Sequence, residues 1–420
     1  MKDHLSVYLF SKFAGTLEHE NGVLSFAYDK EYLKDPKSKP LSYLIPLSCE
    51  VFHNDKLIPF ISNLLPDESV RAKIARILGI SFDNTFALIK ELGGDCAGAI
   101  SFEQGEKNLP TPQIYKELSD NEAYEILANL SNNPLNLGFE GYRISGSGAQ
   151  NKLVAKVENS KVFLPLKGTP STHIIKPEID GFLDSVLNEY FCMQLSSECD
   201  LNTAKSSILK LKDTLFCVTT RYDRVVENAE VKRLHQEDFC QLLGVDPSVK
   251  YESEGGPNLN QCFKLLRELE LTAADIIQFL DKVIFNFIIG NGDAHAKNFS
   301  ILYTNEGPRL APSYDLLATV VYKQIKPRMA MKISNHKDFK FLTAKHFFDL
   351  AEEVQLSKRL VKAELTKVAS KVLDKIDPLQ AKLSEEYPSS IYKEISNGIM
   401  TYNNNSSVVN VEEWLTSVGR

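Results

Sequence analysis

What the sequence lacks narrows it first. No run of 18 apolar residues occurs, and the most hydrophobic stretch, 276–290, is interrupted by Gln278, Asp281, Lys282 and Asn286. A membrane helix needs about 20 predominantly apolar residues, so 276–290 is predicted to be a buried core helix and no membrane contact is expected. The amino terminus meets charge within four residues and has no apolar core of the signal-peptide kind, so the protein is expected to be cytoplasmic. Seven cysteines (49, 96, 192, 199, 217, 240, 262) are odd in number and never spaced Cys-x-x-Cys, which argues against a disulfide framework and a zinc cage. Basic residues are not in excess. With 48 Lys and Arg against 55 Asp and Glu the net charge is −7, which disfavours a protein that coats nucleic acid but leaves room for a local phosphate-binding patch. Internal repeats and low-complexity tracts are also missing.

What is present is a chain of 420 residues, long enough for two or three units that each bury a core. Residues 1–110 read as a small α+β unit. Strands are predicted at 5–10, 23–28 and 97–102, and helices at 57–65, 69–78 and 85–92, the last capped by Asn84 and stopped by Gly93-Gly94. The polar, proline-containing segment 107–112 marks the first boundary. Residues 111–224 follow with a helix at 120–130, a glycine-dense loop at 143–152, strands at 153–157, 162–166, 172–176, 207–211 and 216–220, and a helix at 183–195. The prediction is a mostly antiparallel sheet with one inserted helix. From 225 to 420 the pattern is helical, including 238–243, 259–269, 272–289 and several helices beyond 344; Thr272 and Asp275 open the third like a capping box. The fold class is therefore α+β with two lobes and a cleft between them: a β-rich N-terminal lobe with an extra N-terminal α+β subdomain, and an all-helical C-terminal lobe.

The segment Gly290-Asn-Gly-Asp-Ala-His-Ala-Lys-Asn298 carries most of the chemistry. Side chains this polar do not continue a core, so the chain must surface at the end of the long helix, where a rigid element can position catalytic groups. Asp293 and Asn298 show the D-x-x-x-x-N interval that protein kinases use for a catalytic Asp and a metal-binding Asn. After a strand-like segment at 300–303 and a turn at 306–308, Asp315 follows in Ser313-Tyr-Asp and supplies a second carboxylate. Phosphoryl transfer needs one carboxylate to accept a hydroxyl proton, plus an amide and a carboxylate to hold Mg²⁺. His295 reads either as a metal ligand or as a histidine that fixes the loop, and Lys297 either as facing the transferred phosphate or as a solvated loop lysine.

Other features depend on that trio. Ser145-Gly-Ser-Gly-Ala-Gln-Asn-Lys152 fits a phosphate-covering loop, because glycines let backbone N–H groups approach an anion, although it matches neither a Walker A motif nor G-x-G-x-x-G. Lys176, at a strand end, is a candidate phosphate partner, with Glu189 to orient it. Thr220 and Tyr222 lie where an adenine would meet backbone. Lys367, Lys371 and Lys375 share one helix face, with Arg359 and Lys362 nearby; the face reads as solvated, with a docking stripe for phosphate or an acidic partner as the alternative.

These residues, together with 40–47, 63–67, Arg143-Ile-Ser, 172–176, 188–190, 236–238 and Val249-Lys-Tyr-Glu-Ser-Glu-Gly-Gly-Pro257, resemble the HipA family of serine/threonine kinases, toxins of bacterial toxin–antitoxin pairs. The resemblance spans nearly the whole chain. It implies a kinase-like fold, ATP and Mg²⁺, with Asp293 as base aided by Lys297, and Asn298 and Asp315 on the metal. It also implies nucleotide contacts from Ser147, Gly148, Ala149, Gln150, Lys152, Lys176, Glu189, Thr220, Tyr222 and His295. A silencing autophosphorylation at the Ser145 position is implied too, and the second hydroxyl at Ser147 leaves the acceptor open between them. Implied partners are a HipB-like DNA-binding antitoxin, with DNA reached only through it, and a protein substrate of the aminoacyl-tRNA synthetase class such as glutamyl-tRNA synthetase. Two other readings compete: a co-repressor scaffold that holds an antitoxin on DNA, and a small-molecule phosphotransferase.

Overall fold

A computed structural model describes residues 3–105 and 113–405; the expected 107–112 boundary lies outside them. The chain forms two compact units, neither continuous in sequence: Met1–Pro177 with Leu209–Ser248 and Ser300–Gly307, and Glu178–Ile208 with Val249–Phe299 and Pro308–Arg420.

The two largest sheets of the first unit are antiparallel. β1 (Asp3–Leu9), β2 (Lys12–Glu20), β3 (Val23–Tyr28), β4 (Phe52–His53) and β5 (Ile100–Glu103) pair in the order β4-β3-β2-β1-β5. Against them sit α1 (Lys30–Lys34), α2 (Asn54–Leu64), α3 (Glu68–Leu78) and α4 (Thr85–Leu92). Leu5, Phe26, Phe60, Ile61, Ile74 and Ile89 bury the shared core. The Asn84 side chain accepts from Ala87 N as the expected N-cap of α4. The second sheet contains β6 (Ile114–Glu117), β7 (Leu153–Glu158), β8 (Lys161–Leu166), β9 (His173–Lys176), β10 (Ser206–Leu211) and β11 (Thr214–Thr220), in the order β10-β11-β9-β7-β8-β6. α5 (Asp120–Ala128) opens on a capping box made by Ser119 and Glu122. Its Leu127 joins Val154, Leu164, Ile175 and Phe216 in a separate core.

Beyond β11 the chain is less purely helical than its pattern reads. β12 (Arg224–Glu227) and β13 (Glu230–Arg233) form a hairpin, and β14 (His235–Asp238) leads into α7 (Phe239–Leu243) and pairs with β15 (Ser300–Thr304). β16 (Gly307–Leu310) follows. β12, β13 and β14 are short and rich in charge, so no apolar alternation announces them, whereas β15 falls on the strand-like segment 300–303. The blocks 40–47 and 236–238 are explained here. Tyr28 Oη donates to Ile45 O (2.6 Å) and accepts from Leu41 N (2.8 Å), while Glu237 accepts from Tyr43 N (3.1 Å) and Tyr303 Oη (2.6 Å).

The second unit is built on helices: α6 (Ser185–Glu198), α8 (Leu259–Glu268), α9 (Ala273–Ile288), α10 (Ala344–Glu353), α11 (Lys358–Glu386) and α12 (Ile391–Asn405), with a small hairpin of β17 (Arg328–Ile333) and β18 (His336–Asp338). α6 lies between strands in sequence yet packs with α11 and α12. Thr272 caps α9 by accepting from Asp275 N, as its spacing predicts. Phe279, Leu280 and Ile284 of α9 are buried, as are Val361, Leu365 and Val368 of α11, which packs on it. The lysine face of α11 is neither freely solvated nor a free stripe. Lys367 pairs with Asp281 of α9 (2.6 Å) and with Glu364, and Lys371 pairs with Asp200 (2.8 Å) and donates to Cys199 O (3.3 Å). Two of its three lysines thus tie α11 to its neighbours. All cysteines are free thiols and every one but Cys49 is buried. Among the described residues no helix is long and apolar enough to cross a membrane.

Candidate functional site

The trio Asp293, Asn298 and Asp315 belongs to the second unit. α9 ends at Ile288, and the loop beyond it is tied back to that helix: Asn291 Nδ2 donates to Asn286 Oδ1 (2.8 Å), and Asn291 Oδ1 accepts from Asp293 N (3.0 Å). Asn298 Nδ2 donates to Asp293 O (2.8 Å), which closes the loop from Asp293 to Asn298 on itself. Its amide oxygen takes no hydrogen bond among the described residues. The Asp293 side chain is 49% exposed, as suits a proton acceptor that must meet a substrate. Lys297 is buried, so it is not a solvated loop lysine, and its carbonyl accepts from Tyr314 Oη (3.0 Å), joining the loop to the residue before Asp315. His295 is buried and its backbone takes part in the turn, donating to Asp293 O (2.8 Å) and accepting from Asn298 N (2.9 Å). Among the described residues no group of three or more His, Cys, Asp or Glu side chains is placed to hold a metal.

Asp315 has φ 58, a left-handed conformation that costs a non-glycine residue on the order of 1–3 kcal/mol and persists only where surroundings enforce it. The enforcement is visible. Ser313 N donates to Asn202 O (2.7 Å) and Ala204 N to Ser313 O (2.9 Å). Lys282 Nζ donates to Ala311 O. On the other side, Ala318 N donates to Asn188 Oδ1 (2.9 Å) while Asn188 Nδ2 donates to Ala318 O (3.2 Å). Asn188 and Lys282 therefore hold the Asp315 segment, roles that their sequence positions do not reveal.

Lys282 carries a testable consequence. Burial pushes its ammonium down to about 7, only partly opposed by the Asp275 carboxylate. Its folded-state value thus lies below its unfolded one, so between pH 7 and 10 the unfolded chain binds more protons and stability rises with pH. Lys282→Met is expected to flatten this rise, measured as the urea midpoint at pH 7 and pH 9, and an unchanged slope would remove the assignment.

The remaining candidates divide between the units. Lys176 is buried at the end of β9, opposite Cys217 of β11, in the first unit, and Glu189 is buried on α6 in the second. The loop 143–152 lies in the first unit. Its Gly148 has φ 105, and a Cβ there would stand 2.7 Å from Lys152 Nζ, which folds back to donate to Ser147 O. The block 63–67 grips this loop: Ser147 Oγ donates to Asn63 O (2.7 Å) and Asp67 N to Gly148 O (3.2 Å). Ala149 belongs to the same turn, and Gln150 Nε2 reaches Pro177 O at 3.5 Å. Ser145 is 1% exposed, its N donates to Asp95 O (3.2 Å), and its hydroxyl finds no nitrogen or oxygen partner among the described residues, with only the Cys96 thiol beside it.

Segment 220–224 is more than a linker. Thr220 pairs with His173, and Tyr222 Oη donates to Gln236 Oε1. Arg221 and Arg224, joined by Arg233, enclose Asp95 and Asp223 in a fully buried ion network. Asp95 Oδ1 takes Arg224 (2.9 Å) and Arg233 (2.8 Å), its Oδ2 takes Arg221 (3.3 Å) and the Ser171 hydroxyl (2.6 Å), and Asp223 takes Arg221 (2.7 Å) and Arg224 (2.8 Å). Burial works against the Asp95 anion, but these guanidiniums together hold its carboxyl far below the usual range. Nothing in the sequence pattern identifies this cluster, because its members lie up to 138 residues apart.

Comparison with known proteins bears on family and fold. Residues 5–103 match the HipA N-terminal domain and residues 144–376 the HipA-like C-terminal domain. Y4mE of Sinorhizobium fredii is 38% identical over 89% of this chain and 90% of its own. The serine/threonine-protein kinase toxin HipA of Shewanella oneidensis is 30% identical over 88% of this chain and 87% of its own. The solved Shewanella oneidensis HipA, in complex with HipB and operator DNA, superposes with a TM-score of 0.83 at 26% identity, covering 97% of this chain and 99% of that one. Matched along both domains and in fold, the chain belongs to the HipA family of serine/threonine kinase toxins.

Proposed function

We propose that this chain is an ATP- and Mg²⁺-dependent serine/threonine protein kinase that acts as the toxin of a toxin–antitoxin pair. The observation that carries the reading is the loop closed by Asn298 on Asp293 together with the enforced left-handed Asp315. Asp293 takes the proton of the acceptor hydroxyl as that oxygen bonds the γ-phosphorus and the bond to the ADP oxygen breaks. Asn298 offers an amide oxygen and Asp315 a carboxylate, hard donors of the kind Mg²⁺ prefers when substrate phosphates complete its shell. Bound there, Mg²⁺ supplies neutralisation of phosphate charge. Lys297 faces the transferred phosphate. In the first unit, the loop from Ser147 to Lys152 and Lys176 take phosphate, and backbone near Thr220 and Tyr222 takes adenine; in the second, His295 fixes the catalytic loop. The substrate is a protein of the aminoacyl-tRNA synthetase class. A HipB-like antitoxin is the partner through which the chain meets DNA, as the assembly of its Shewanella neighbour supports.

Autophosphorylation falls on Ser145. Its buried hydroxyl has only the Cys96 thiol, a weak partner, beside it, whereas that of Ser147 is held by Asn63 O, so the loop is more readily released at Ser145. With Mg²⁺ and γ-labelled ATP the chain is expected to label itself, Ser145→Ala to lose the label and Ser147→Ala to keep it, read by peptide mass spectrometry. An unlabelled wild-type chain that also gives no heat with Mg-ATP in calorimetry would favour the co-repressor reading instead.

A further inference from the structure

Resting on that kinase reading, we infer that Tyr251 is a positioning residue for the proton acceptor: its phenol holds one carboxylate oxygen of Asp293 so that the other is presented to the acceptor hydroxyl. Tyr251 lies in the block Val249-Lys-Tyr-Glu-Ser-Glu-Gly-Gly-Pro257, and the structure shows what that block builds. A 3-10 turn over Glu252–Glu254 reverses the chain, and Gly256 N donates back to Tyr251 O (2.9 Å). Gly256 sits so close to the preceding backbone that a Cβ there would lie 2.2 Å from Val249 O and 2.8 Å from Tyr251 O, so only glycine closes the turn. Glu252 anchors it to β17, accepting from Lys332 N (2.6 Å) and pairing with Lys332 Nζ (3.2 Å). The result is a rigid mount for one aromatic ring. That ring meets His295 edge to face, with centroids 4.9 Å apart at 88°, and its hydroxyl donates to Asp293 Oδ1.

The two neighbours of Oδ1 are not equivalent. His295 Nε2 stands 3.8 Å away, beyond hydrogen-bond reach, so the phenol is the donor that fixes the carboxylate. Oδ2 accepts no hydrogen bond among the described residues. A half-exposed carboxylate otherwise rotates freely about its terminal torsion, which is broad and roughly two-fold. Fixing it is an orientation effect of the kind that a 1 Å misplacement undoes by about a hundredfold. Tyr251 keeps its proton throughout, and the acceptor's proton goes to Oδ2.

Tyr251→Phe keeps the ring against His295 and removes only the hydroxyl. At saturating Mg-ATP its rate of γ-phosphate transfer to the chain's own serine is expected to fall about tenfold or more. The KM for ATP, the calorimetric Kd for Mg-ATP and the melting midpoint are expected to stay at wild-type values. A rate equal to wild type overturns the inference, as does a faster rate, which would make Tyr251 an occupant of the acceptor's place. A parallel loss of Mg-ATP affinity or of melting midpoint also overturns it, by making the role structural. Asp293→Asn, run alongside, separates the two levels of argument: a wild-type rate in that variant defeats the kinase assignment itself, whereas an inactive Asp293→Asn beside an unaffected Tyr251→Phe defeats only the inference.

Discussion

Asp293→Asn is expected to lower γ-phosphate transfer by about 10²–10⁴-fold, the contribution of a positioned general base, while leaving the fold intact. The carboxamide is isosteric and its oxygen still accepts from Tyr251, but it cannot take the hydroxyl proton. Stability should scarcely move, since the side chain is half exposed and its backbone carries the loop's tie to Asn291; substitutions of this kind stay within about 0.5 kcal/mol. The measurement is the initial rate of label transfer from ATP at matched melting midpoints. The split between large kinetic loss and small stability change distinguishes a kinase from a scaffold, because a scaffold would lose neither. If the Asn variant labels at the wild-type rate, Asp293 is a turn residue and the phosphoryl-transfer reading has no base.

Much of the fold was legible because its signals are local. Asn84 announces α4 and Thr272 announces α9, since a cap is a bond between residues two or three apart. β7 and β8 follow from alternation across a short turn. β2 was not legible: Lys12–Glu20 reads KFAGTLEHE, with polar residues on both faces and a glycine inside. The charged hairpin of β12 and β13 escapes for a related reason, since Arg224 and Arg233 point into a polar core that no hydrophobic pattern encodes.

The catalytic loop shows the same division. That Asp293 and Asn298 act together is written in their spacing, and the hydrogen bond between them is local. Tyr251, Asn188 and Lys282 bear on the same chemistry, but only tertiary packing brings them to Asp293, Ala318 and Ala311. The first two lie in sequence blocks that carry the family resemblance, so their presence was noticeable while their purpose was not.

Asp95→Ala is expected to produce the largest loss of stability of any single change considered, about 3–5 kcal/mol, the cost of removing one partner from a buried ion pair. Three guanidiniums now face two carboxylates; in the variant they would face Asp223 alone, in a site with no solvent to screen them. Against a typical total of about 5–15 kcal/mol this is enough to unfold a good fraction of the first unit at moderate urea. The pH dependence has a definite sign. The folded-state carboxyl of Asp95 lies far below its unfolded value, so its contribution is complete above about pH 4 and is lost as pH falls toward the folded-state value. Asp95→Asn, which keeps the shape and one acceptor but not the charge, should therefore lower the urea midpoint at pH 7 and converge on wild type in strong acid. The same change reaches the glycine-rich loop, because Asp95 O accepts from Ser145 N and Asp95 pairs with Ile144. Hydrogen exchange at 144–147 should accelerate in the variant before exchange in β7 does. Equal protection of both segments would mean that the network braces the sheet as a whole and does not hold Ser145 in place.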